Sequence, residues 1–219
     1  MILNILKPAG ITSHDAVDIV RRITGEARVG HGGTLDPFAL GVLVIGVGRE
    51  STKLLREILK ETDKEYLATL RLGETSSTGD PEGKITPTVR EEKIDSLSPE
   101  KITNVLKKFA GEIEQTPPAF SALKIKGVPA YKLARQGKKV SLPPRKVLIK
   151  ELELLDLSLP LIKIRAVVSS GTYIRSLAED IGKALGVGAY LQALTRTRVG
   201  KFKIEDSKTL EEMEKEYEK

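Results

Sequence analysis

The residues best suited to chemistry lie in Gly30-His31-Gly32-Gly33-Thr34-Leu35-Asp36-Pro37, which runs straight into the apolar stretch Leu40 to Val47. Asp36 is the only carboxylate between Glu26 and Glu50. The glycines beside it let another molecule approach the backbone, because no side chain stands in the way. Pro37 fixes its own φ and biases Asp36 toward an extended conformation, which holds the carboxylate in a rigid setting. An isolated acid beside bare backbone and a histidine suits a catalytic centre. The same Asp-Pro pair also suits a helix N-cap with Pro in the first turn, or the start of a turn.

A second candidate is Arg175, in Ser170-Gly171-Thr172-Tyr173-Ile174-Arg175. The spacing predicts a guanidinium in the first turn of a helix, the end whose dipole disfavours a cation. It either pairs on the surface with Glu179, worth about 0.2–0.5 kcal/mol, or leaves its helix to meet a carboxylate elsewhere. The residues alone allow both. Tyr66 falls on the apolar face of an alternating segment, where core packing is the ordinary role. His31 reads as a loop histidine.

Cofactor-dependent chemistry finds little support. Val44-Ile45-Gly46-Val47-Gly48-Arg49 lacks the third glycine of a dinucleotide loop, and Ser51-Thr52-Lys53 has the wrong order for a phosphate loop. The chain has no cysteine and two histidines, which excludes disulfides, thiolate nucleophiles and cysteine-bound zinc. No cofactor and no metal are expected.

The elements that must position these residues can be read from periodicity. Thr12-Ser13-His14-Asp15 predicts a capping box for a helix through Ala16, Val17, Val20 and Ile23, ending at Gly25. Leu40 to Val47 reads as a buried strand and Ser51 to Lys60 as a helix. Tyr66, Ala68, Leu70 and Leu72 predict a strand with one packed face. Thr75 to Gly83 reads as a turn-rich loop. Ser98-Pro99-Glu100 opens a helix that Gly111 closes. Val147 to Leu157 and Leu161 to Val168 are expected as strands around Pro160. Thr172 is expected to cap a helix that stops at Gly186. Arg198 to Ile204 is expected as a strand and Leu210 to Lys219 as a terminal helix. The mixture lacks a strict βαβ rhythm, so the fold class expected is α+β with a mixed β-sheet flanked by helices.

Net charge is +6, yet nine basic residues and no acid lie between Gln115 and Lys150, so the rest of the chain sums to −3. This segregation sets up a sustained positive field and favours a polyanion. Paired prolines at 117–118 and 143–144 bracket a segment poor in core formers, which reads as a basic excursion over about 116–145. No apolar run approaches the ~20 residues of a membrane span. A cytoplasmic protein that binds nucleic acid rather than membrane is expected.

Four segments in order carry a resemblance: Lys7-Pro8-Ala9-Gly10-Ile11-Thr12-Ser13, Gly30 to Gly41, Asp63-Lys64-Glu65-Tyr66, and Gly171-Thr172-Tyr173-Ile174-Arg175-Ser176-Leu177. With Pro117 to Ala122 they make the chain resemble the TruB-type tRNA pseudouridine-55 synthases over essentially its whole length. The resemblance implies the pseudouridine synthase fold with a thumb-like basic insertion, in one catalytic domain spanning 1–219. It implies Asp36 as the catalytic aspartate, Tyr66 as the ring stacked on the target base, Arg175 as the partner of Asp36, and His31 among the T-loop bases. The RNA-binding set expected is His31, Tyr173 and Lys53, with Lys124, Lys126, Arg135, Lys138, Lys139 and Arg145 of the insertion. The sequence stops soon after the catalytic part, so no small C-terminal RNA-binding domain is expected in it.

The implied substrate is the T-arm of tRNA, handled by a stand-alone monomer without an obligatory protein partner. A non-catalytic RNA-binding module or tRNA chaperone is the alternative. Moving uracil from an N1 to a C5 glycosidic link involves no net redox change or hydrolysis. The base must first leave its stack, at a cost of about a few kcal/mol, and a stacked ring returns ~1–3 kcal/mol. One carboxylate suffices, whether it attacks the sugar, attacks the base or removes a sugar proton.

Overall fold

The computed structural model describes residues 1–59 and 62–217, and within them the chain divides into two compact units, Met1–Leu67 with Leu194–Lys219, and Ala68–Ala193. The first unit starts with strand β1 (Ile2–Lys7), helix α1 (Ser13–Thr24), strands β2 (Val29–Gly32) and β3 (Leu40–Val47), helix α2 (Arg49–Ile58) and the start of strand β4 (Lys64–Leu72). The second continues with β5 (Glu74–Ser76), β6 (Ile85–Pro87), α3 (Glu91–Asp95), α4 (Pro99–Lys107), β7 (Gly111–Gln115), β8 (Lys124–Ile125), β9 (Val128–Pro129), α5 (Ala130–Arg135), β10 (Arg145–Ser158), β11 (Leu161–Val168) and α6 (Ile174–Leu185). Strand β12 (Ala189–Val199) leads back to the first unit, which ends with β13 (Phe202–Lys203), a 3₁₀ turn and α7 (Leu210–Tyr217).

In the first unit, β3 is the organising strand. β1 pairs antiparallel along one edge, from Ile2 opposite Gly46 to Lys7 opposite Gly41. The other edge is shared: β2 lies antiparallel to Val44–Val47, while β12 pairs in parallel at Leu40 and Gly41. That approach needs a bare backbone, because a Cβ at Gly41 (φ +123°) would stand 2.3 Å from the Arg196 carbonyl oxygen. Leu43 and Ile45 pack with Ile5, Val17, Val20 and Met213, whereas Val42 and Val44 pack with Leu55 and Val199. A strand covered on both faces explains the unbroken apolar run in the sequence. The predicted capping box forms: Thr12 Oγ1 accepts from Asp15 N, Asp15 answers to Thr12 N, and Gly25 ends α1 in the left-handed region.

In the second unit the strand order is β4-β11-β10-β7, with β10 antiparallel to both neighbours. Tyr66, Ala68, Leu70 and Leu72 of β4 are buried as the alternation predicts. Parallel and antiparallel pairs together make the α+β mixed sheet that was expected.

Several expectations need correction. The helix opened by Ser98 stops at Lys107, and Gly111 instead starts β7. The polar segment 75–83 is not all loop: its first residues form β5, paired to β6. Thr172 does not cap α6; its hydroxyl bonds the Ser169 carbonyl, and Tyr173 is the N-cap residue with no side-chain cap. The strand expected over Arg198 to Ile204 is the end of the longer β12, a turn at Gly200, and β13. Helix α2 starts two residues early, at Arg49, and runs to Ile58; Lys60 lies outside the described residues, as do positions 218 and 219, over which the terminal helix was expected to extend.

Candidate active site and nucleic-acid interface

Asp36 lies half-buried in the connection from β2 to β3, and its neighbours on both sides are tied down. Before it, Ser13 Oγ accepts from Leu35 N at 2.8 Å and donates to Leu35 O at 2.9 Å, with Ser13 only 2% exposed. After it, the Pro37 carbonyl accepts from Gly10 N at 2.8 Å and Lys7 Nζ at 3.4 Å. Lys7 is fully buried at the end of β1, and its ammonium also bonds the carbonyls of Pro8 and Ile11. A third anchor is Arg196 on β12, 1% exposed, which donates to the carbonyls of Val42 (2.8 Å), Thr34 (3.3 Å) and Gly33 (3.1 Å). Side chains from three elements thus fix the main chain on either side of one carboxylate. Such preorganisation is what a reacting group needs, since a small misplacement costs rate heavily.

The other candidates of this unit take definite places. His31 is on β2, not in a loop, opposite Ile45. Its Nδ1 is buried with no hydrogen-bond partner among the described residues, and burial, then Arg196, then His14 hold its pKa below the ordinary range, so the ring is neutral at pH 7. Tyr66 is 6% exposed on the buried face of β4. Lys64, two residues earlier, is pushed down to about 8, chiefly by burial and then by Arg196. Lys53 is exposed on α2.

Arg175 in the second unit is 5% exposed, so it is not the surface partner of Glu179. It leaves its helix: Nη1 meets Asp80 Oδ2 at 3.2 Å and the Thr78 carbonyl at 3.1 Å, and Nη2 bonds the Phe120 carbonyl at 2.9 Å. Asp80 is 3% exposed and also accepts from Thr78 Oγ1 and Glu82 N. Asp36 belongs to the other unit; within its own, the carboxylate Arg175 meets is Asp80. The Glu179 carboxyl is pushed up by burial. Gln115 holds the start of α6 with its amide, accepting from Tyr173 N at 2.8 Å and donating to Tyr173 O at 3.0 Å. Tyr173 is thereby fixed through its main chain, with its side chain half-buried.

The basic segment 116–145 holds the β8–β9 ribbon and α5. Lys124, Lys126, Arg135, Lys138, Lys139 and Arg145 are all exposed, and Arg135 lies 5.7 Å above the Tyr131 ring. Its root is fastened by the Phe120 carbonyl on Arg175 and by Tyr131 N bonding Ser121 O at 3.0 Å.

Sequence reasoning missed Lys7, Ser13, Arg196, Asp80 and Gln115. The available signal was a lysine ending the apolar Ile2-Leu3-Asn4-Ile5-Leu6 run, and one acid among small hydroxyls in Ser76-Ser77-Thr78-Gly79-Asp80. Among the described residues no group of three or more His, Asp or Glu side chains is placed to hold a metal ion, and no helix is long and apolar enough to cross a membrane.

Comparison with known proteins gives consistent matches. Residues 21–174 match the profile of the TruB family pseudouridylate synthase N-terminal domain, and residues 175–219 that of the tRNA pseudouridylate synthase B C-terminal domain. The dividing point falls inside α6. The tRNA pseudouridine synthase B of Mycobacterium tuberculosis is 47% identical over 211 residues, covering 94% of this chain and 69% of that protein. That of Dechloromonas aromatica is 47% identical over 208 residues, covering 95% and 68%. Among solved structures, a Cbf5-Nop10-Gar1 complex matches with a TM-score of 0.76 and 34% identity over 99% of this chain. The chain spans 54% of that solved chain.

Proposed function

Because the chain belongs to the TruB family of pseudouridylate synthases, we propose that it isomerises the T-loop uridine at position 55 of tRNA to pseudouridine. The observation that carries this reading is the Asp36 loop, whose flanking carbonyls at Leu35 and Pro37 are both clamped by buried side chains. A binding module has no need to hold one carboxylate so firmly. Asp36 is the proposed catalytic group, Tyr66 the ring that stacks on the flipped base, and Arg175 the support for the aspartate's charge. A neutral His31 offers a flat ring to unstacked bases without adding a charge. The exposed cations of 116–145, with Lys53 and the segment at Tyr173, are proposed to hold phosphates of the T-arm, which position RNA without reading sequence.

The chemistry breaks one glycosidic bond and makes another, so the residues proposed need no cofactor. We further propose a cytoplasmic monomer that works without a protein partner. The test is to incubate unmodified tRNA with the purified protein and map pseudouridine at single-nucleotide resolution. Product at position 55 is expected. Binding without product would favour the chaperone reading.

A further inference from the structure

Gly33 opens the connection that leads to Asp36, exposed to solvent and in a left-handed conformation (φ +85°). A Cβ built there would stand 3.5 Å from Lys64 Nζ and 3.9 Å from Arg196 Nη1. The bare face of this glycine is therefore flanked by two cations from two strands. Arg196 cannot swing away, because its Nε, Nη1 and Nη2 are committed to the carbonyls of Val42, Thr34 and Gly33. Lys64 is half-buried at the start of β4. Two like charges this close raise each other's energy, and with water partly excluded an anion between them gains from both.

Titratable groups on the surrounding elements include the neutral His31 on β2, Asp36 on the loop, Asp63 and Glu65 beside Lys64 itself, and Arg198 on β12. Glu65 is turned to Thr197 and Arg198 of β12. His31 feels the same Arg196 charge that Lys64 does.

We propose that Lys64, backed by Arg196, seats a backbone phosphate of the RNA over Gly33 and so fixes the strand that leads the target nucleotide toward Asp36. The missing side chain at Gly33 is what lets the phosphate reach both cations. This inference rests on the RNA-modifying function proposed above. Lys64 starts near pH 8 in the free protein, so a phosphate that holds it charged makes binding take up a proton at alkaline pH.

Affinity for unmodified T-arm RNA is measured at pH 7 and pH 9 for the wild type, Lys64→Arg and Lys64→Gln, and the same mixtures are assayed for pseudouridine. The wild type is expected to bind about tenfold more weakly at pH 9 than at pH 7. Lys64→Arg stays charged at both values and should change far less, which corrects for every other titrating group. Lys64→Gln should lower the log–log salt slope at pH 7 by roughly 0.7 to 0.9, one phosphate's share. Parallel wild-type and Lys64→Arg profiles, with product still formed, would overturn this inference alone. No RNA binding and no product would overturn the proposed function with it.

Discussion

Replacing Ser13 with Ala isolates what the clamp on the Asp36 loop is worth. The hydroxyl bonds both the N–H and the carbonyl of Leu35, at 2.8 and 2.9 Å, and is 2% exposed. Removing it strands two buried main-chain groups, each costing about 1–3 kcal/mol when unsatisfied. Helix α1 should not suffer, because its cap is Thr12 and alanine is a good helix former. The expected loss is therefore about 2–6 kcal/mol, a Tm decrease of roughly 5–20 °C for a chain of this size. Leu35 adjoins Asp36, so the carboxylate also loses its fixed position, and a turnover loss of about 10- to 100-fold is expected with tRNA affinity nearly unchanged. Denaturant unfolding, single-turnover pseudouridine formation and filter binding measure the three quantities. A variant within about 0.5 kcal/mol of the parent and fully active would refute the claim that this clamp organises the loop.

Arg175→Ala leaves Asp80 buried without its cation and should cost about 3–5 kcal/mol by denaturant unfolding. If Arg175 also supports Asp36, the acidic limb of the pH–rate profile should move to higher pH. Lys64 is depressed from 10.5 to about 8, so the unfolded chain binds more protons between those values and folding stability should rise with pH across that window. Lys64→Met should accordingly stabilise the protein at pH 7, with the difference from wild type shrinking by pH 10 in unfolding titrations. Neutralising Lys138 and Lys139 together should weaken different tRNAs about equally and flatten the log–log salt dependence of binding by roughly 0.7 to 0.9 per lost phosphate contact, while the modified position stays the same.

The parts of this molecule that follow local rules were readable in advance. The capping box of α1, the alternation in β4 and the left-handed glycine after α6 each depend on residues a few positions apart. Arg175 was conspicuous for the same reason: a cation in a first helical turn conflicts with its own helix, and the structure resolves the conflict with Asp80. What stayed hidden depends on distant main chain. Arg196 serves the carbonyls of Gly33 and Thr34 from more than 160 residues away, and no side-chain pattern announces a carbonyl partner. Its presence also broke the apolar alternation of β12, so most of that strand went unread. β2 was missed because Val29-Gly30-His31-Gly32 pairs through its backbone while offering one apolar side chain. Lys7 stood in a recognisable motif with no role assigned to it, although it is fully buried and spent on three carbonyls.

The central claim is that Asp36 performs the chemistry while the affinity for RNA resides elsewhere. Its most direct test compares wild type and Asp36→Asn on the same unmodified tRNA, by equilibrium binding and by single-turnover mapping of pseudouridine. Asparagine keeps the size and the backbone setting but cannot act as a carboxylate. The expected result is a Kd within a few-fold of wild type and a loss of product at position 55 by orders of magnitude. Pseudouridine formed by the variant at near the wild-type rate would contradict the account.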